Sequence, residues 1–221
     1  MKSTLIIFVS FLLLVFDFKE AYCQRDPALV VAHPDRKKEG FFYLSDSVIA
    51  SELASFNFVG RIYRQKPSEP LISFPVESVS SNSVEFAYEN HTVFIETGRF
   101  RPSRHHLKYY RMSGYLHKID GRYFWGIDGK VPQRQIETFK VVIDEIPINI
   151  PLNAYNDIFE PNLCIRMVFS GTIRCNTAVY ISHEGERIYI HMRNGEIPSL
   201  YEVTWVFRHG KYLGRVVDFA Y

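Results

Sequence analysis

The segment Gly98 to Ser113 reads GRFRPSRHHLKYYRMS and holds no acidic residue. It carries Arg99, Arg101, Arg104, Lys108 and Arg111, interleaved with Phe100, Tyr109 and Tyr110, and the pair His105-His106 sits at its centre. Cations set among rings suit an anionic polymer, a sulfated or uronic glycan, or a phospholipid headgroup: the charge attracts the anion while the ring supplies apolar contact or a cation–π partner. The plainer reading is a solvated hairpin whose arginines lay their stems along the surface. Nucleic acid fits poorly, because the formal net charge is only +2 and gives no strong global field. The ligand-binding set expected from the sequence is Arg99, Arg101, Arg104, His105, Lys108, Tyr109 and Arg111, joined by two loop tips, Asp120 and Asp128.

Other chemistry finds less support. His105, His106, His117, Asp120 and Asp128 are of the right types for a divalent metal, but none stands at a recognised ligand spacing, and Asp128-Gly129 lacks the series of oxygen ligands of a calcium loop. The chain has no GxSxG elbow, no HExxH helix and no reactive cysteine with a histidine nearby. Carboxylates such as Asp144-Glu145, Glu96, Glu137 and Glu202 could serve a glycosidase, yet any β protein of this size offers such pairs. No catalytic set, metal or cofactor is expected, and a small secreted hydrolase acting on glycan or peptide stands as the alternative to a binding module. Tyr123, Phe124 and Trp125 could stack on a sugar, but their pattern reads as core.

The elements that must hold these residues are strands. Asp120-Gly121 supplies two residues that tolerate positive φ, as a type I′ hairpin turn requires. It predicts Ile119 opposite Arg122, His117 opposite Phe124 and Leu116 opposite Trp125. TFKVVID puts Phe139, Val141 and Ile143 on one face. The proline-studded IPINIPL should lie at a sheet edge. SVEFAYENHTVFIET reads as a hairpin turning at Glu89-Asn90-His91, where Asn90-His91-Thr92 also forms an N-glycosylation sequon. IRMVF, TIRCNTAVYIS, RIYIHM, YEVTWVF and KYLGRVVDF, separated by turn residues, predict an antiparallel meander. Turning at His209-Gly210 would place Trp205 over Gly214 and Thr204 opposite Arg215, with Glu202 as a nearby ion partner. ALVVA near residue 30 and Phe41 to Leu44 read as short strands, and Ser55 to Arg64 alternates like one. Asp46 to Ala54 is the clearest helix, with Asp46 as its cap, and Asn153 to Glu160 suggests a further helical turn.

Length and composition agree. The chain has 221 residues, 47% hydrophobic and 15% aromatic, and aromatic side chains pack well on pleated surfaces. Residues 1–24 read as a secretory leader: Lys2, then LIIFVSFLLLVF, then Ala21-Tyr22-Cys23 before Gln24. The apolar run falls short of the ~20 residues of a membrane span, and the sequence shows no later one. Lipidation at Cys23 fits less well, because Tyr22 is bulky. The mature protein is expected in the periplasm or outside the cell, as one all-β domain over residues 25–221, with an N-terminal part (25–112) and a central hairpin with C-terminal meander (113–221). In an oxidising compartment Cys164 and Cys175 should pair, although a turn centred on Ser170-Gly171 would set Cys164 opposite Thr177. The fold class expected is an antiparallel sandwich or partly open barrel with one or two short helices.

At FWGIDG (Phe124 to Gly129), IPINIP (Ile146 to Pro151), RIYIHM (Arg187 to Met192) and YEVTW (Tyr201 to Trp205), the chain resembles exported bacterial proteins of unknown function. In these an aromatic-Trp-Gly-x-Asp-Gly box precedes a β-rich half with a YEVxW strand. The likeness covers residues 114–221. It implies export and a β-rich fold, and it implies no activity. Where those proteins carry a Gly-rich acidic loop before YEV, this chain has NGEIPSL.

Overall fold

Alternation along the chain is realised as two five-stranded antiparallel sheets in a computed structural model. The structure describes residues 39–63, 67, 69–126, 129–167, 170–195 and 200–220. The leader, ALVVA and Asp128 therefore lie outside the described residues. The first sheet runs β1 (Ile72–Ser73), β11 (Thr177–Ile181), β12 (Arg187–Asn194), β13 (Tyr201–Arg208), β14 (Lys211–Phe219). The second runs β2 (Val76–Val79), β3 (Ser83–Tyr88), β4 (His91–Arg99), β7 (Arg134–Ile143), β8 (Ile146–Pro147). Two ribbons stand apart: β5 (Leu107–Tyr109) with β6 (Leu116–Ile119), and β9 (Cys164–Arg166) with β10 (Ile173–Cys175).

The inner faces share one core. Val84, Phe86, Val93, Ile95, Phe139 and Val141 of the second sheet meet Val179, Ile190, Val203, Trp205 and Phe207 of the first. Phe139 meets Trp205 edge-on with ring centroids 4.8 Å apart, a favourable aromatic geometry. The buried polar handles are satisfied: Trp205 Nε1 donates to Ala154 O at 2.8 Å, and the Tyr201 hydroxyl donates to Phe159 O at 2.7 Å. Both acceptors lie in the connection after β8, which includes a single 3₁₀ turn, Leu152–Ala154. As the prolines require, β8 is a sheet edge. Among the described residues no helix is long and apolar enough to cross a membrane.

The outer face of the first sheet is covered by two short helices, α1 (Ser47–Leu53) and α2 (Phe58–Tyr63). Asp46 caps α1 through Val48 and Ile49 N–H, as its sequence suggests. Ile49, Leu53 and Phe56 pack on Tyr189, Val206 and Val216. With the other sheet on one side and helices on the other, β12 and β13 are buried on both faces.

Several expectations are corrected. Ser55 to Arg64 is not a strand, because α2 occupies its second half. Asn57 Oδ1 accepts from Gly60 N–H at 2.7 Å, and the Glu202 carboxylate accepts from Phe58 and Val59 N–H at 2.9 and 3.2 Å. These acceptors satisfy N–H groups that a helix start otherwise leaves orphaned. Gly60 lies so close to Ala54 that a Cβ would sit 2.9 Å from the Ala54 Cα. Phe41 to Tyr43 is a 3₁₀ turn. A register shift between Val206 and Phe207 sets Trp205 opposite Arg215 and Thr204 opposite Val216. One extra residue flips every side chain beyond it, so Val217 and not Val216 joins the core. Arg215 pairs with Asp157 and Glu39, not with Glu202.

The cysteines meet directly. Ile173 pairs with Arg166, so Cys175 lies opposite Cys164, within disulfide-bonding distance. The connection turns about a residue earlier than Ser170-Gly171, which removes the conflict with Thr177.

Candidate functional site

The expected binding residues leave the sandwich at the end of β4 and return through the β5–β6 ribbon. A small satellite core holds this excursion: Phe100, Leu116, Ile119, Phe124 and Phe159, with Leu107 and Val131 against them. Phe100 meets Phe159 edge-on at 5.2 Å, and Phe124 meets Phe159 at 5.6 Å. Phe124 and Trp125 are thus both core, Phe124 here and Trp125 in the main core. This split limits the central hairpin. Ile119 pairs with Arg122 across the Asp120-Gly121 turn, as expected, but Leu116 bridges Gly129 and Trp125 bridges Ile158. Past its first pair the return strand leaves β6, because its two buried rings go to different cores. Tyr123 stays half-buried under the Lys118 ammonium, which sits 4.4 Å from its ring centroid.

Asp120 takes φ +50° and Gly121 φ +76°, so this turn uses the freedom its residues supply. The Asp120 carboxylate reaches back: Oδ2 lies 2.7 Å from His105 Nδ1, and Oδ1 accepts from His106 N–H at 2.8 Å. The His105 bond is the main reason the Asp120 carboxyl is held below its ordinary range. An ionised carboxylate only accepts, so Nδ1 carries the proton and Nε2 is left for another partner. A face of the His105 ring stacks on Phe100, with ring centroids 4.5 Å apart. His117, in contrast, stacks on Tyr110 at 4.1 Å. Burial, then Lys108 and Lys118, push its pKa down.

Arg99, Arg101, Arg104, Lys108 and Arg111 are all exposed, as is Tyr109. Among the described residues none of the five cations has a carboxylate at ion-pair distance; the ion pairs formed involve other side chains. The acid-free run extends to Ile119 and adds Lys118.

Two cavities adjoin this segment, one bordered by His105 and the other by Arg99, Phe100 and Pro102. One, of about 240 Å³, is walled by His105, Asp120, Arg122, Tyr123 and Asn156 over Phe124 and Phe159. The other is a more open groove of about 680 Å³ between Asn82, Arg99, Phe100, Pro102, Gln133 and Arg134. Sequence reading found His105, Asp120 and Arg99 but missed Arg122, Asn156, Gln133 and Asn82. Lys118 and Arg122 were within reach of it, since both adjoin the basic run. Asn156 and Asn82 carry no local signal, because distant loops deliver them.

A second polar cluster lies under the helices. Arg187 forks onto Glu52 (Nε–Oε2 2.9 Å, Nη2–Oε1 3.0 Å), and the Tyr189 hydroxyl also donates to Glu52. Beside it, Glu202 Oε2 lies 3.7 Å from His191 Nε2, and His191 Nδ1 lies 3.0 Å from Thr204 Oγ1. The order resembles a catalytic triad, but all three residues are buried. Burial pushes Glu202 up to about 7 and His191 down to about 3. Both shifts favour neutral forms, so the close approach is not an ion pair. The Glu202 carboxyl group also accepts the Phe58 and Val59 N–H groups at the start of α2.

No family model matches the chain, and neither a curated protein nor a solved structure matches it.

Proposed function

We propose that this chain is an exported, non-catalytic binding or envelope-associated module that holds an anionic ligand on the face made by Arg99 to Arg111 and the Asp120 turn. One observation carries the reading: five exposed cations without an ion-pair partner among the described residues. Like charges are gathered here at a cost in self-repulsion that an anion would relieve. The leader-like N-terminus and the approach of Cys164 to Cys175 support export, since disulfides persist in oxidising compartments.

The test is retention on a sulfated or carboxylated matrix at rising salt. Exposed charge contacts contribute up to ~1 kcal/mol each, so Arg101→Ala with Arg104→Ala should weaken binding about tenfold. Retention that ignores salt and the double substitution would overturn the proposal.

The His105–Asp120 pair favours a second reading, a hydrolase, because an oriented imidazole can act as a general base. Two features weigh against it. The Asp120 carboxyl is pushed down, away from the raised value a general acid needs. The second carboxylate at the cavity, Asp157, is held by Arg215. Release of sugar or peptide products, abolished by His105→Ala, would restore that reading.

A further inference from the structure

The linings of the two cavities touch at one ring pair. Arg99, Phe100 and Pro102 line the groove, His105 lines the pocket, and the rings of Phe100 and His105 stack at 4.5 Å. The 3₁₀ turn Pro102–Arg104 joins Phe100 to His105 along the chain, and it carries exposed Arg104 next to exposed Arg101. Each lining holds guanidinium and amide side chains, and the pocket adds the carboxylates of Asp120 and Asp157. The groove offers the Gln133 amide and the Arg99 guanidinium, flanked by Asn82, which Ser80, Glu96 and Thr97 hold, and by Arg134, which pairs with Glu160. The pocket offers the Arg122 guanidinium, the Asn156 amide, the Tyr123 ring and His105 Nε2, beside the Asp120 and Asp157 carboxylates, which are engaged by His105 and Arg215.

We infer that the anionic ligand is a linear acidic glycan, carrying carboxylate or sulfate groups, that lies in the groove, crosses the Pro102–Arg104 turn and ends in the pocket. The inference rests on the anion-binding reading above and names the ligand class for that face. Three features select a glycan. Amides and guanidiniums in concave sites match hydroxyls and acid groups on the same ligand. A ring beside polar groups suits the C–H face of a sugar, and Tyr123 is half-buried in that position. The arginines over the turn lie where the acid groups of a chain crossing it would come. A bilayer presents a broad surface that cannot enter a cavity of about 240 Å³. The polyanion's length is then the source of affinity, because two subsites joined by one chain act at high effective concentration.

The experiment titrates the full-length protein, after leader removal, with a disaccharide, a tetrasaccharide and an octasaccharide of a sulfated uronate polymer, and with phosphatidylserine vesicles. Affinity should rise by about 10²-fold or more from disaccharide to octasaccharide. Arg99→Ala with Gln133→Ala, on the groove side, and Arg122→Ala, on the pocket side, should each cost the octasaccharide about tenfold. The disaccharide should respond to only one of these. All three side chains are exposed, so the fold should survive their loss, which an unchanged circular dichroism spectrum would verify. Equal affinity for disaccharide and octasaccharide would overturn the spanning mode. Vesicle binding without octasaccharide binding would overturn the glycan and keep the anion-binding face. Binding of neither would overturn both.

Discussion

Replacing Glu202 by glutamine tests how α2 is held. Glu202 is 1% exposed, pairs in register with Asp218, and accepts the first two N–H groups of α2. Desolvation is the chief reason its pKa rises from 4.5 to about 7; the two backbone bonds oppose it and nearby Asp218 adds to it. The sign follows from proton counting. A carboxyl whose folded pKa lies above its unfolded value keeps its proton longer in the native state. Its share of stability is therefore fully present below about 4.5 and is lost as pH rises to about 7. At ~1.4 kcal/mol per pKa unit, the loss is on the order of 3 kcal/mol. Glutamine keeps one of the two acceptor oxygens, sets an amide NH2 against the other N–H at a cost that does not vary with pH, and removes the titration. Urea unfolding of both proteins between pH 4 and 8 is the assay. The stability of Glu202→Gln relative to the parent should climb by about 3 kcal/mol across that range. Asp218, raised to about 6, and His191, lowered to about 3, titrate in both proteins, so their contributions largely cancel in the difference. Stability curves that run parallel at every pH would refute the reasoning, because they would mean Glu202 titrates alike in folded and unfolded chains. Glu202→Ala, which strands both N–H groups, should lie a further ~1–3 kcal/mol below Glu202→Gln at every pH in this range, because neither variant titrates at this position.

The Glu52 to Arg187 fork ties α1 to β12, and Glu52→Ala should cost about 3–5 kcal/mol in the same unfolding assay, because it leaves a buried guanidinium without its main partner. A loss under 1 kcal/mol would mean that Glu184 and Glu186, 3.5 and 3.3 Å away, already suffice. Removing the covalent link with Cys164→Ala and Cys175→Ala should lower unfolding stability by roughly 3 kcal/mol in the chain-entropy model. An unchanged midpoint for this double variant would indicate that the thiols are not bonded in the native protein.

Local pattern alone was enough for the strands and several turns. Alternation placed Phe139, Val141 and Ile143 in the core together, the prolines of IPINIPL put β8 at an edge, and the C-terminal runs pair in chain order. Asp120-Gly121 turns where two residues tolerant of positive φ stand. The basic run was equally legible, since exposure of five charges without neighbouring acids needs no long-range information. Tertiary structure alone decided the rest. Ser55 to Arg64 has strand-like alternation, yet α2 forms because a carboxylate 144 residues along the chain accepts the Phe58 N–H. One residue of slip at Val206 exchanged the faces of β14 and gave Arg215 to Asp157. His105 and Asp120 were each visible as candidates, but their contact depends on the Asp120 turn folding back onto the His105 segment, and the cavity they border is completed by Asn156 and Phe159 from another loop. Backbone preference is read from neighbours a few residues apart. Caps, registers and cavities depend on which distant atoms satisfy a buried polar group or fill a gap, and packing makes that choice.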